Sequence, residues 1–170
     1  MTFRSTSRVV LVAASAVLLL SGAPAPAGTE SIKVLRVVPF AKEAQVPQKV
    51  QDECDLQTKV PAFLSKYASD VELVDGKLGT TGRVLDLRIR DVHAPGGGAF
   101  SGPKWMTVTG VLRENGREVA RFSAKRFSSG GVFGGYKGTC AIIGRCAQTI
   151  GKDIANWLQN PKNGAQLGDT

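Results

Sequence analysis

The amino-acid sequence predicts an α+β fold, in which an antiparallel sheet of four to five strands carries two helices packed on one face. Three observations lead to this fold class. Alternating apolar and polar residues, typical of half-buried strands, fill much of the segment 83–127. Apolar residues at helical spacing lie on either side of it, over 50–68 and 142–159. The turn residues Asn115-Gly116 favour a hairpin between the last two strands.

The first 27 residues have the pattern of a secretory signal peptide. Arg4 and Arg8 precede an uncharged apolar run, and Ala25-Pro26-Ala27 supplies small residues at the positions that a signal peptidase reads. The run is shorter than the ~20 residues of a membrane span, and no Cys lies near the cleavage point. We therefore expect cleavage after Ala27, a periplasmic or secreted location, no lipid attachment and no transmembrane segment in the mature chain.

The mature chain is expected to form a single α+β domain over residues 28–160, followed by a disordered C-terminal tail over 161–170. The full chain has 22 basic and 14 acidic residues, and the signal segment holds two of the basic ones, which leaves a net charge of +6. This charge favours an anionic partner. No Lys/Arg run is long enough for a nucleic-acid-binding arm, so nucleic acid is not expected as a partner.

The first half of the domain contains a strand, a helix and a short second strand. Residues Ser31–Phe40 are rich in β-branched side chains and predict a first strand that Pro39 ends. Residues Val50–Ala68 predict a helix, in which Pro61 either introduces a kink or lies in the first turn of a separate helix. Residues Val71–Val74 predict a short edge strand.

Three consecutive strands are predicted at Arg83–His93, Lys104–Arg113 and Arg117–Phe127. The length of the last loop can be predicted from the alternation of apolar residues in the two strands that it joins. A three-residue loop, Glu114–Gly116 with Gly116 left-handed, would put the apolar residues of both strands on one face, whereas a two-residue loop would put them on opposite faces. We therefore predict the longer loop. It pairs Ala120 with Gly110, Phe122 with Val108, and Ala124 with Met106.

The last predicted helix, Ile142–Gln159, carries one strongly apolar stripe. Trp157 belongs to this stripe and is expected to be buried against Leu87, Val108 and Phe122. Gly144 and Gly151 lie beside the stripe, where each weakens the helix by ~1 kcal/mol. We expect their compensation to be a close approach of the helix backbone to the sheet.

Three cysteines remain in the mature chain, and an exported protein is expected to pair two of them. Cys140–Cys146 closes the shortest loop and is the preferred disulfide, provided that the helix begins after Cys140, because residues six apart in a helix are ~9 Å apart along its axis. Cys54 with either of the others is the alternative. No Cys-x-x-Cys motif is present and the chain has one histidine, so no metal site is expected.

No catalytic residue and no cofactor are assigned from the sequence. The Gly-rich segment Ser128–Gly138 fits neither the dinucleotide-binding nor the P-loop spacing, and we expect it to let Phe133 and Tyr136 fold back onto the domain. His93, the single histidine, has no recognisable nucleophile elbow in the sequence and is interpreted as a solvated residue at the end of a strand.

The outer face of the three-strand segment is the candidate binding face. An aromatic side chain among basic ones suits anionic sugars, peptides or nucleic acid. The residues expected to share this face are Arg88, Arg90, Trp105, Arg121 and Lys125.

Two resemblances bear on function. The pattern Gly130-Gly131-x-x-Gly134-Gly135-Tyr136-Lys137-Gly138-Thr139-Cys140, with Arg145-Cys146 and Asp153–Leu158, resembles the C-terminal part of an uncharacterised family of proteobacterial exported proteins. The order strand, helix, strands, helix is similar to modules related to the TolB amino-terminal domain, which occur in envelope lipoproteins. These resemblances imply an envelope-associated accessory or binding module and supply no catalytic residues.

The function predicted from the sequence is that of a non-enzymatic periplasmic or envelope module that binds an anionic envelope component or a protein partner. A hydrolase of an envelope polymer, with a site near His93 and the Gly-rich loops, is one alternative. A secreted factor that acts on another cell is the other.

Overall fold

The computed structural model describes residues 30–97, 101–129 and 136–169, which form a mixed seven-stranded sheet with three helices. The expected signal peptide lies outside these residues. The elements in chain order are β1 (Ile32–Leu35), β2 (Phe40–Gln45), α1 (Gln48–Glu53), α2 (Leu56–Tyr67), β3 (Val71–Val74), β4 (Arg83–His93), β5 (Lys104–Glu114), β6 (Arg117–Ser128), α3 (Thr139–Leu158) and β7 (Ala165–Gly168).

The predicted fold class is wrong in its sheet topology. The strand order is β3-β1-β4-β5-β6-β7, with β2 also paired to β4. Only the β4-β5 and β5-β6 pairs are antiparallel, whereas the β1-β3, β1-β4, β2-β4 and β6-β7 pairs are parallel. In the β1-β3 and β6-β7 pairs the parallel direction follows from the helices: α1 and α2 lie between β1 and β3, and α3 lies between β6 and β7. A helical crossover returns the chain to run in its original direction.

The predicted first strand is divided into two. Residues 36–39 separate β1 from β2, and both strands pair with the same edge of β4. Ile32 is aligned with Arg83 near the start of β4, and Phe40 is aligned with Ile89 further along it. β3 lies at the edge of the sheet, as predicted.

The predicted helix over 50–68 breaks at Asp55 and not at Pro61. Asp55 has a left-handed backbone (φ 50°) between α1 and α2, and Pro61 is buried inside α2. Proline cannot donate to the carbonyl four residues earlier, which belongs to Gln57. The Val38 N–H donates to that carbonyl instead, at 2.9 Å. Pro61 therefore leaves an acceptor that the β1–β2 connection uses to dock on α2.

The β5-β6 hairpin has a shorter loop than predicted, although the predicted faces are correct. Asn115 (φ 51°) and Gly116 (φ 79°) form a two-residue turn. The register then shifts by one residue at Val119, so that Ala120 pairs with Leu112 and Phe122 pairs with Gly110. This β-bulge restores the parity that the two-residue turn alone would reverse.

The core lies between the sheet and the helices, and Trp157 is buried in it as predicted, with 6% of its surface exposed. Its indole meets the Phe122 ring edge-on, with centroids 4.7 Å apart, and its Nε1 donates to the Lys162 carbonyl at 3.1 Å. The Phe122 ring occupies the space that a side chain at Gly110 would need. Gly110 thus makes room for this aromatic pair.

The chain after α3 contains a strand, so the predicted disordered tail does not match the structure there. β7 pairs with β6 in parallel, and the Arg126 guanidinium anchors it. Arg126 donates to both carboxylate oxygens of Asp153 in α3, at 2.7 and 2.9 Å, and to Asp169 at 2.7 Å. The Asp169 carboxylate also accepts the Phe127 N–H at 2.9 Å.

The disulfide joins Cys54 to Cys140, with Cα atoms 4.9 Å apart, and not Cys140 to Cys146. The preferred pairing required the helix to begin after Cys140. In the structure α3 begins at Thr139, so both Cys140 and Cys146 are helical and too far apart to bridge.

Among the helices of the described residues, none is long and apolar enough to span a membrane.

Candidate functional site

The sheet has one face covered by helices and one that the described helices leave open. Along β5, the residues Met106, Val108 and Leu112 are buried on the helical side, while the alternate residues Thr107 and Thr109 are half-exposed. We call the second side the outer face. It is the side of β4, β5 and β6 that carries the cross-strand row Arg88, Thr109 and Ser123.

The strand register places four of the five predicted binding-face residues on the outer face, and the fifth, Arg90, lines a depression there. Arg88 is aligned with Thr109, Arg121 with Val111, and Lys125 with Thr107. Trp105 is aligned with His93 on one side and with Phe127 on the other. Arg90 is exposed at a register shift in β4, between Ile89 and Asp91.

Two of the five basic or aromatic side chains have acidic partners. The Arg88 Nε lies 3.2 Å from an Asp86 oxygen, and Arg113 lies 3.5 Å from the same carboxylate. An Arg121 nitrogen lies 2.6 Å from Glu118. Exposed pairs of this kind contribute at most about 1 kcal/mol, so they reduce the local charge without sequestering the guanidinium groups.

Arg90 is a basic residue of this face whose charge has neither an acidic nor an aromatic partner within the described residues. Within the described part of the chain it forms no ion pair. Its side chain and that of Arg121 border a shallow depression of about 320 Å³. The polar side chains in the lining of that depression belong to Thr109, Ser123 and Gln166. Bulges re-aim side chains, and this one directs Arg90 over the outer face.

Trp105 is less available to a ligand than the sequence suggests, because it already has neighbours from both adjacent strands. The His93 ring stacks on it, with centroids 5.6 Å apart and planes 13° from parallel. The Lys125 ammonium lies 4.8 Å from the Trp105 centroid and 4.9 Å from that of Phe127. These cation–π contacts hold the Lys125 charge in a defined place on the outer face.

His93 has no partner that would make it a general base. In the described ranges it has no hydrogen bond to a Ser, Cys or carboxylate, and its observed neighbour is Trp105. A groove of about 310 Å³ lined by Gln45, Pro47 and these two rings adjoins it. No group of three or more potential metal-ligating His, Cys, Asp or Glu side chains occurs among the residues that the structure describes.

Lys104, which is not among the residues singled out from the sequence, is fully buried at the start of β5. Its ammonium donates to the Ser101 hydroxyl at 2.9 Å, and that hydroxyl donates to the Pro95 carbonyl at 3.1 Å. The Thr139 hydroxyl donates to the same carbonyl at 3.2 Å. The signal was present, because Lys104 has the same parity as the buried Met106. These bonds tie the 94–103 connection to the start of α3.

The Gly-rich segment Ser128–Gly138 does not behave as predicted where the structure describes it. Tyr136 is 94% exposed, so it does not fold back onto the domain. Phe133 and most of the glycine pattern lie outside the described residues. The folding back of Phe133 onto the domain therefore stays a prediction.

A largely apolar cleft of about 440 Å³ opens beside the disulfide. The residues Pro47, Val50, Ala94 and Thr139 line it together with Cys54 and Cys140.

Cys146 is the free cysteine and is buried, which raises the pKa of its thiol to about 11. It is therefore neutral at physiological pH and is a poor nucleophile.

Comparison with known proteins gives the fold alone. No family model matches the chain, and no curated protein matches it. A solved structure described as "Crystal structure of uncharacterized protein" is similar, with a TM-score of 0.54 and 13% sequence identity. The match covers 76% of this chain and 92% of the other.

Proposed function

We propose that this protein is a non-enzymatic, exported binding module that holds an anionic component of the cell envelope on its outer face. The observation that carries the proposal is Arg90, which has no ion-pair partner in the described residues and shares a polar depression with Arg121. A guanidinium presents a planar fork of donors that matches the oxygens of a carboxylate or phosphate. The hydroxyl and amide groups in the depression can complete such a contact.

Two properties of the whole chain support an exported, anion-binding role. The sequence pI of about 9.7 favours the approach of anionic surfaces and polymers. The Cys54–Cys140 disulfide is typical of a protein that folds in an oxidising compartment, where the signal-like N-terminus would deliver it. The layout similar to TolB amino-terminal modules fits the same location.

The proposal predicts that Arg90→Glu abolishes co-sedimentation of the purified mature protein with isolated envelope fractions at low salt. Binding by the wild type should weaken at physiological ionic strength, because exposed charges are screened within ~8 Å there. Lys152→Glu is the matched control, since it makes the same change of charge at an exposed position of α3, on the helical side. The melting temperatures of both variants should stay close to that of the wild type.

The contrast between the two variants decides the result. Loss with Arg90→Glu alone supports binding by the outer face. Equal loss with both variants would mean that only net charge matters, and retention by Arg90→Glu would place the binding elsewhere. Either result contradicts the proposal.

A further inference from the structure

We infer that the anionic component is a linear acidic polysaccharide that lies along β6. This inference rests on the proposed function and specifies the ligand of the same face. It follows from three observations: the spacing of the positive groups, the hydrogen-bonding side chains between them, and the contacts that already cover the aromatic rings.

The positive groups of the outer face extend between two end points, Arg121 and Lys125. Lys125 lies four residues after Arg121 on β6, and the strand register places Arg88 and Arg90 of β4 in rows between them. At the rise of an extended strand this separation is about 13 Å. One small anion cannot contact both points, but a chain with repeated negative groups can. A second contact by the same chain increases affinity, because it is intramolecular.

Neutral hydrogen-bonding groups lie next to the arginines on the surface between the two points. Thr109, Ser123 and Gln166 line the depression, and Thr107 is aligned with Lys125. Hydroxyl and amide side chains donate and accept hydrogen bonds, as sugar hydroxyls do. A chain of acidic sugars therefore matches this strip in both its charged and its neutral positions.

The aromatic rings favour a polysaccharide over single-stranded nucleic acid. Nucleic-acid-binding surfaces offer open aromatic faces on which bases stack. Here His93 stacks on Trp105, and the Lys125 ammonium lies over both Trp105 and Phe127. The rings therefore act mainly to position a cation, and that cation suits a carboxylate.

Asp91 opposes the ligand and provides a gain-of-affinity test, because it is an acidic residue of the outer face that forms no ion pair within the described residues. Asp91 is aligned with Thr107, and Thr107 is aligned with Lys125 on its other side. A carboxylate in this row repels a bound polyanion. Asp91→Asn should therefore tighten binding, a result that loss of folding cannot imitate.

The test is calorimetric titration with oligogalacturonates of increasing length, from the monomer to the octamer. For the wild-type protein we expect the affinity to rise at least tenfold across the series once the chain spans both points. Lys125→Gln should remove this rise, while Lys66→Gln, an exposed lysine in the last turn of α2, should leave it unchanged. Asp91→Asn should increase the affinity for the longer oligomers.

Three results would overturn the inference. They are an affinity that does not change with length, tighter binding of an oligodeoxythymidylate of equal charge, and binding of phosphatidylglycerol vesicles without binding of the oligosaccharides. If Arg90→Glu still abolishes envelope binding in these cases, the proposed function stands and only the polysaccharide is wrong. If Arg90→Glu has no effect, the proposed function fails as well.

Discussion

At the scale of single residues, two glycines of α3 that look alike in the sequence have different surroundings. A side-chain carbon added at Gly151 would lie 2.8 Å from the Phe63 Cβ and 2.9 Å from the Leu64 backbone nitrogen. The same carbon at Gly144 would meet nothing within 4 Å. The close approach expected from the sequence is therefore real at Gly151, but it is to helix α2 and not to the sheet.

We predict that Gly151→Ala lowers the free energy of unfolding, because α2 must move to accommodate the methyl group. Overpacking of this kind costs about 1–3 kcal/mol. Gly144→Ala is the matched control and should raise the free energy of unfolding by up to ~1 kcal/mol, since alanine is the better helix former. Urea denaturation of the disulfide-bonded protein measures both. Changes of the same sign would contradict the packing of α2 on α3.

At the scale of elements, β7 is attached by charged contacts as well as by the packing of Ala165 and Leu167 against the core. It is four residues long, and only alternate residues are partly buried. The Asp169 carboxylate accepts the Phe127 N–H and pairs with Arg126, and these contacts lower the pKa of Asp169. A lowered pKa in the folded state means that the ionised carboxylate stabilises the fold.

We predict that Asp169→Ala lowers the melting temperature near neutral pH and that the deficit shrinks in acid. The contribution of Asp169 is complete above the pKa of an unfolded aspartate, about 4, and is lost as the pH falls through its lower folded value. Melting curves of both proteins over an acidic pH series measure this. A deficit that is constant down to the most acidic buffer would show that the carboxylate charge is irrelevant to the attachment of β7.

At the scale of the whole molecule, the disulfide joins the two helical parts of the chain. It connects Cys54, just after α1, to Cys140, in the first turn of α3, across a sequence separation of 86 residues. A cross-link of that span lowers the entropy of the unfolded chain and stabilises the fold by about 4–5 kcal/mol.

We predict that the double variant Cys54→Ser/Cys140→Ser melts well below the wild type and no longer responds to reductant. Cys146→Ala is the control and should keep its sensitivity to reductant, because it leaves the disulfide in place. Thiol titration of the denatured, unreduced wild type should find a single free thiol. Three free thiols, or a disulfide that includes Cys146, would contradict the observed pairing.

The sequence by itself determined the local features. The bounds of β4, the buried stripe around Trp157, the inner and outer faces of β4–β6 and the need for one disulfide could all be predicted from it. These features depend on side-chain periods of two or 3.6 residues, which are set by neighbours along the chain.

Only the tertiary structure decided which segments meet. It selected Cys54 as the partner of Cys140. It paired β3 with β1, and β7 with β6, in the parallel direction. It also gave Arg88 and Arg121 acidic partners, while Arg90 received none in the described residues. Single-residue register shifts at Arg90 and Val119 also escaped the sequence patterns. Such outcomes depend on contacts between distant residues, and a shift of one position changes the neighbours of every residue beyond it.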